Sequence, residues 1–87
     1  MFSVFLSNKA KKQYAKLEAK IHDRAAELLE FLESEPVPAG EYDVSKLSGR
    51  DETYRIRLSS FRFVYRVLWN EKKIEVAKIE RRSDNTY

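Results

Sequence analysis

The sequence predicts an α+β fold: a short N-terminal strand and an α-helical hairpin packed on one face of a small twisted antiparallel sheet, in the order β-α-α-β-β-β. Three observations carry this reading. Apolar residues recur at helical spacing through a run without proline or glycine, from Asn8 to Glu33. The segment Glu35-Pro36-Val37-Pro38-Ala39-Gly40 then stops the helical half. Beyond it, apolar and polar residues alternate strictly through Tyr54-Arg55-Ile56-Arg57-Leu58, the period of a strand with one buried face. A chain of 87 residues is expected to form one domain, 1–87, with a core that is small but sufficient to fold alone.

Each element has its own warrant. Phe2-Ser3-Val4-Phe5-Leu6 is the first strand, and Ser7 or Asn8 offers an N-cap to the helix that follows. Ala10, Tyr14, Leu17 and Ile21 mark one helical face; Ala25, Leu28 and Leu32 repeat the spacing. A single helix over this run would span roughly 40 Å at 1.5 Å per residue, too long to lie on so small a sheet. A break near Ala19 to Asp23 is therefore expected. A loop or edge segment leads to Lys46-Leu47-Ser48-Gly49 and the polar turn Arg50-Asp51-Glu52. The hairpin occupies about Tyr54 to Leu68, and Asn70-Glu71-Lys72 turns the chain into a last strand from Lys73 to Ile79. Helices followed by a meander belong on one face of the sheet. Tyr54, Ile56, Leu58, Phe61, Phe63, Tyr65 and Val67 should face them.

Composition removes several classes of function. The chain has no cysteine, which excludes disulfides, thiolate metal sites and cysteine nucleophiles, and suits a reducing cytoplasm. The apolar run at the N-terminus is too short for a signal segment or a membrane span. His22 is the one histidine and stands among charged helical neighbours, so a zinc site is not expected. Glu27, Glu30 and Glu33 read as a solvated acidic helix face, and Tyr14 and Trp69 as packing residues. No glycine-rich phosphate loop, nucleophile elbow or Walker motif is present. No cofactor is expected.

Charge is distributed unevenly. Basic and acidic residues balance from Met1 to Gly40, whereas between Lys46 and Arg66 six basic residues face only Asp51 and Glu52. If Ser59-Ser60 forms a two-residue turn, Leu58 pairs with Phe61 and Arg57 with Arg62, while Arg55 faces Val64 with Arg62 and Arg66 as diagonal neighbours. Four arginines then share one sheet face. A shift of one residue in the loop would instead split them across two faces. Like charges placed opposite each other destabilise a sheet, so an anionic partner is the natural explanation. Guanidinium offers a planar fork to phosphate oxygens. It also suits the five-coordinate phosphorane formed when a ribose 2′-hydroxyl attacks its neighbouring phosphate. RNA carries that nucleophile itself, so the reaction needs no metal. Lys46, Arg50, Arg66 and Arg82 would extend the phosphate-binding surface. Arginine is a poor general base, which leaves proton transfer to Tyr87, a lysine such as Lys46, or the substrate's surroundings.

Lys46-Leu47-Ser48-Gly49, Tyr54-Arg55-Ile56-Arg57-Leu58, Phe61-Arg62-Phe63-Val64-Tyr65 and the tail from Arg81-Arg82 to Tyr87 resemble the RelE family, toxins of RelBE-type toxin–antitoxin modules within the RelE/ParE superfamily. The resemblance spans essentially the whole chain. It implies an mRNA interferase that enters the ribosomal A site and cleaves the message, and a RelB-like antitoxin that neutralises it. It also implies phosphate orientation and transition-state stabilisation for Arg55 and Arg62, with Arg57 as the second member of the basic pair. Arg81, or Arg82 in its place, would assist the leaving 5′-oxygen, and Tyr87 would stack on or orient a base. The best-known member has lysines where this chain has Arg55 and Arg57, one of them taken as the base. Arginine there favours electrostatic catalysis. The alternatives are a ParE-like toxin acting on DNA gyrase and a non-catalytic module that grips nucleic-acid phosphates. A basic amphipathic helix at Lys9 to Lys20 lying on a membrane surface is disfavoured by the glutamates that follow it.

Overall fold

Why the helical run divides where it does becomes clear from its tertiary contacts. A computed structural model of the chain describes residues 1–47, 49 and 52–81. Strand β1 (Ser3–Leu6) leads into α1 (Asn8–Ala15) and α2 (Ala19–Leu32), followed by strands β2 (Asp43–Lys46), β3 (Thr53–Leu58), β4 (Phe61–Leu68) and β5 (Lys73–Arg81). Ser7 caps α1, its Oγ accepting from Ala10 N at 3.0 Å. The expected break at Ala19 to Asp23 falls earlier, at Lys16–Glu18. There Lys16 N and Leu17 N bond back to Gln13 O and Tyr14 O, tightening the last turn of α1. Leu17 turns against the core, and the rings of Tyr14 and His22 meet at 4.2 Å across the elbow. No glycine or proline marks the site; packing does. α2 ends as Glu33 N and Ser34 N take three-residue bonds ahead of Pro36, which disfavours helix at the residue before it.

The sheet has the order β1-β5-β4-β3-β2. The expected antiparallel meander is present as β2–β3–β4–β5. Two features extend it. The segment read as loop or edge supplies β2, pairing Asp43 with Arg57 and Lys46 with Tyr54. β1 occupies the free edge of β5 and runs parallel to it, Ser3 beside Lys73 through Leu6 beside Val76. The sheet is therefore mixed, with β1 parallel to β5 at one edge and β2 at the other.

Side-chain parity follows the register. Ile56, Leu58, Phe63, Tyr65, Val67, Ile74, Val76 and Ile79 form the helix-side core with Ala10, Ala25, Leu28 and Leu32; Tyr54 and Phe61 pack at its margin. In β5 the parity changes once. Val64 pairs with Lys78 but Tyr65 with Val76, so Ala77 is an extra residue, a β-bulge. α1 secures it: Ser7 Oγ donates to Ala77 O at 2.7 Å, and Ile79 N donates to Gln13 Oε1 at 2.6 Å. The bulge turns Ile79 inward and brings Lys78 and Glu80 to the opposite face. Among the described residues no helix is long and apolar enough to cross a membrane.

Candidate functional site

The face of the sheet away from the helices gathers the arginines. Leu58 pairs with Phe61 and Arg57 with Arg62, while Arg55 lies opposite Val64, so Ser59-Ser60 is the two-residue turn. Ser59 adopts φ 58°, the positive φ that the primed hairpin turns require at their first central position. Directly paired residues share a face, so Arg55, Arg57, Arg62 and Arg66 are neighbours, with Asp43 and Ser45 from β2 and Glu75, Lys78 and Glu80 from β5.

At the centre of this face lies Val64. It is only 5% exposed, although it stands outside the helix-side core. Arg55 and Lys78 flank it on the adjoining strands, and Arg62 and Arg66 along its own. Surrounded by these four long side chains, it is screened from solvent. This burial offsets part of the cost of crowding the cations.

The four arginines differ in their partners. Arg57 bridges Asp43 at 3.7 Å and Arg66 bridges Glu75 at 3.6 Å, each directly across from its acid. These acids come from neighbouring strands, outside the stretch from Lys46 to Arg66. Arg55 reaches only the Ser45 hydroxyl, at 3.4 Å, and Arg62 forms no ion pair among the described residues. The Nε atoms of both are buried without a hydrogen-bond partner. Buried donors of this kind are rare in folded proteins and call for an explanation. The periphery of the face is thus neutralised and its centre, Arg55 with Arg62, is not.

Not every expected site residue joins them. Lys46 pairs with Tyr54 and so belongs to the helix side of the sheet, near the Glu52 carboxylate. Arg81 pairs with Phe61, on the same side, and its guanidinium lies 5.3 Å from the centre of the Phe61 ring. Arg50, Arg82 and Tyr87 lie outside the described residues. Conversely, Lys78 and Glu80 stand on the arginine face, 3.0 Å apart, and were missed because alternation alone does not reveal the bulge that places them. Among the described residues no group of three or more His, Cys, Asp and Glu side chains is placed to hold a metal.

A second polar cluster closes the far end of the hairpin. Glu52 Oε1 accepts from Trp69 Nε1 at 2.6 Å and from Tyr54 Oη at 3.2 Å. The Trp69 hydrogen bond first, with help from Tyr54 and the charge of Lys46, holds this carboxyl below its usual range. Burial, then the bond to Glu52, pushes the Tyr54 phenol up. Tyr54 stacks on Tyr65, whose hydroxyl donates to Pro36 O at 2.8 Å.

Known proteins share this framework. Residues 4–86 match the family model described as ParE toxin of type II toxin–antitoxin system, parDE. A protein of Methanocaldococcus jannaschii named "Putative toxin RelE1" is 36% identical over 81 residues, covering 93% of this chain and 90% of its own. A chain of the archaeal RelE–RelB complex from Pyrococcus horikoshii superposes with a TM-score of 0.86 at 33% identity, over 95% of this chain and 97% of that one. The intact Escherichia coli RelBE complex contains a chain of the same fold, with a TM-score of 0.80 at 21% identity, covering 95% of this chain and 99% of its own. Sequence, fold and the arginine hairpin agree: the chain belongs to the RelE/ParE superfamily and is a RelE-like toxin of a type II toxin–antitoxin system.

Proposed function

We propose that the protein is a ribosome-dependent endoribonuclease that inhibits translation by cutting mRNA, and that a RelB-like antitoxin neutralises it. The observation that carries this reading is the unneutralised centre of the arginine face, with the buried, unpartnered Nε atoms of Arg55 and Arg62. Both guanidiniums orient the scissile phosphate and stabilise the charge that builds on it. The 2′-oxygen attacks phosphorus and the bond to the 5′-oxygen breaks. This leaves a 2′,3′-cyclic phosphate and a 5′-hydroxyl, and the proton lost by the 2′-hydroxyl ends on the departing oxygen. Arg57 and Arg66 hold flanking phosphates through the donors their acids leave free. Arg81 reaches the 5′-oxygen only by leaving Phe61 and passing around the end of β5. Arg50, Arg82 and Tyr87 are assigned to phosphate and base contacts on the strength of the resemblance. An antitoxin supplies acidic groups that compete with RNA for the same cations.

The test is to add purified protein to a translation extract and map the ends of the message. Cuts within codons are expected, and Arg62→Ala should lower the cleavage rate by about 100-fold or more, the usual effect of removing one transition-state donor. Blocked translation with intact message would overturn the cleavage. The match to the ParE family model favours a second reading, inhibition of DNA gyrase; loss of supercoiling in a purified gyrase assay would support it.

A further inference from the structure

Three arginines on the open face stand directly opposite a carboxylate on the neighbouring strand. Arg57 opposes Asp43, Arg66 opposes Glu75, and Arg62 opposes Glu80. The first two pairs bridge, at 3.7 and 3.6 Å. The third does not. Glu80 instead bonds Lys78 of its own strand, Oε2 to Nζ at 3.0 Å, the shortest of the ion pairs between described residues. Both residues reach this face only because of the bulge at Ala77. Residues directly opposite on antiparallel strands have Cβ atoms about 4.5–5.5 Å apart, so Glu80 has the reach to neutralise Arg62 as its counterparts neutralise Arg57 and Arg66.

We infer that Lys78 is a positioning residue that holds the Glu80 carboxylate away from Arg62 and so keeps that guanidinium available to an RNA phosphate. The inference rests on the reading of the arginine face as the RNA site. Lys78 acts through Glu80 and not by touching the substrate. Without its ammonium, Glu80 turns to the nearest cation with an unpartnered donor. That cation is Arg62, whose buried Nε lacks a partner. The internal carboxylate then competes with phosphate.

The experiment measures binding of a 2′-O-methyl RNA oligonucleotide, which cannot be cleaved by 2′-attack, to the full chain at fixed salt. Wild type, Lys78→Met, Glu80→Gln, the double variant and Arg62→Ala are compared. Lys78→Met should weaken binding roughly five- to ten-fold, within the range of one ordinary net hydrogen bond. Glu80→Gln alone should stay within about two-fold of wild type, because that carboxylate is already sequestered, and the double variant should return to the wild-type affinity. Lys78→Arg, which keeps a cation beside Glu80, should bind as wild type and shows that position 78 tolerates substitution. A symmetric response, with Glu80→Gln tightening binding as much as Lys78→Met weakens it, would reveal a simple field effect and overturn the inference. So would a double variant as weak as Lys78→Met, which would make Lys78 a direct phosphate ligand. If Arg62→Ala binds as tightly as wild type, the RNA-site reading itself fails and the role of Lys78 falls with it. A wild-type response at Lys78→Met beside a weakened Arg62→Ala removes the positioning role alone.

Discussion

Replacing Tyr65 by phenylalanine should change the stability of this protein in opposite directions at neutral and alkaline pH. The ring is fully buried at the centre of β4, stacked on Tyr54 at 5.7 Å, and its hydroxyl donates to Pro36 O at 2.8 Å, tying the segment after α2 to the sheet. Phenylalanine keeps the ring and the stack and removes one hydrogen bond. Pro36 is only half-buried, and its bond to Tyr65 is part-buried. The loss therefore falls near the typical net value, about 1 kcal/mol, rather than the full cost of a buried orphan acceptor. For a domain of this size that lowers Tm by about 4–8 °C.

Burial, with a smaller contribution from Tyr54, pushes the phenol of Tyr65 far above its ordinary value. The proton is therefore held more tightly in the folded state than in the unfolded one. The stability this contributes is complete below about pH 10, the ordinary tyrosine value, and is lost as pH rises above it. At pH 11 the ionised unfolded tyrosine lowers wild-type stability by at most about 1.4 kcal/mol through this one group. Phenylalanine has no such term, and the other tyrosines titrate alike in both proteins. The two curves should thus meet near pH 10.5–11. Urea unfolding at pH 7, 9, 10, 10.5 and 11 reads the difference directly. A constant gap across that range would refute the burial argument, and no gap at pH 7 would refute the hydrogen bond.

Other perturbations test other joints. Ser59→Gly should stabilise by about 1 kcal/mol in denaturant unfolding, because Ser59 stands at φ 58°, where a Cβ is unfavourable and glycine is not. Ser7→Ala removes both the cap on α1 and the bond to the bulge at Ala77; a loss of about 1–2 kcal/mol is expected in the same assay. In wild type, the hydrogen bonds to Glu52 stabilise above the ordinary carboxyl range and weaken as pH falls through its lowered value. Trp69, the chain's one tryptophan, should report this as an acid-side fluorescence transition that Glu52→Gln abolishes.

Much of this architecture is legible in one dimension, and the exceptions share a cause. The hairpin register follows from parity: Leu58 and Phe61 must share the buried side, so the two serines between them form the turn even though neither is glycine or asparagine. The break between the helices carries no local signal, because Leu17 and the Tyr14–His22 contact create it only in the folded state. β2 is four residues long, and its half-buried Val44 lies between exposed Asp43 and half-buried Ser45, both on the face that carries arginines, a weak apolar pattern. Asp43 and Glu75 neutralise arginines that lie 14 and 9 positions away in sequence (57 − 43 and 75 − 66), and no linear window pairs them. Least legible is the face occupied by Lys78 and Glu80. Simple alternation from Ile74 and Val76 would turn Lys78 inward; the bulge reverses that, held by side chains 70 and 66 positions earlier, Ser7 and Gln13.

The bulge also links the fold to the chemistry proposed for it. On the helix side it seats Ile79 in the core, and there the gain is apolar burial. On the open side the same extra residue sets Glu80 against Arg62 and Lys78 against Val64. One backbone irregularity thus serves packing on one face and charge placement on the other. Polar groups on the open face contribute little to stability individually, since their ion pairs are largely solvated. Substitutions of Lys78 and Glu80 should therefore separate activity from stability, whereas substitutions at Ser7, Gln13 or Ile79 should disturb both. A fold whose main core lies beneath the sheet, with Val64 alone of the buried apolar side chains above it, leaves the upper face free to hold cations at a spacing that packing alone would not select.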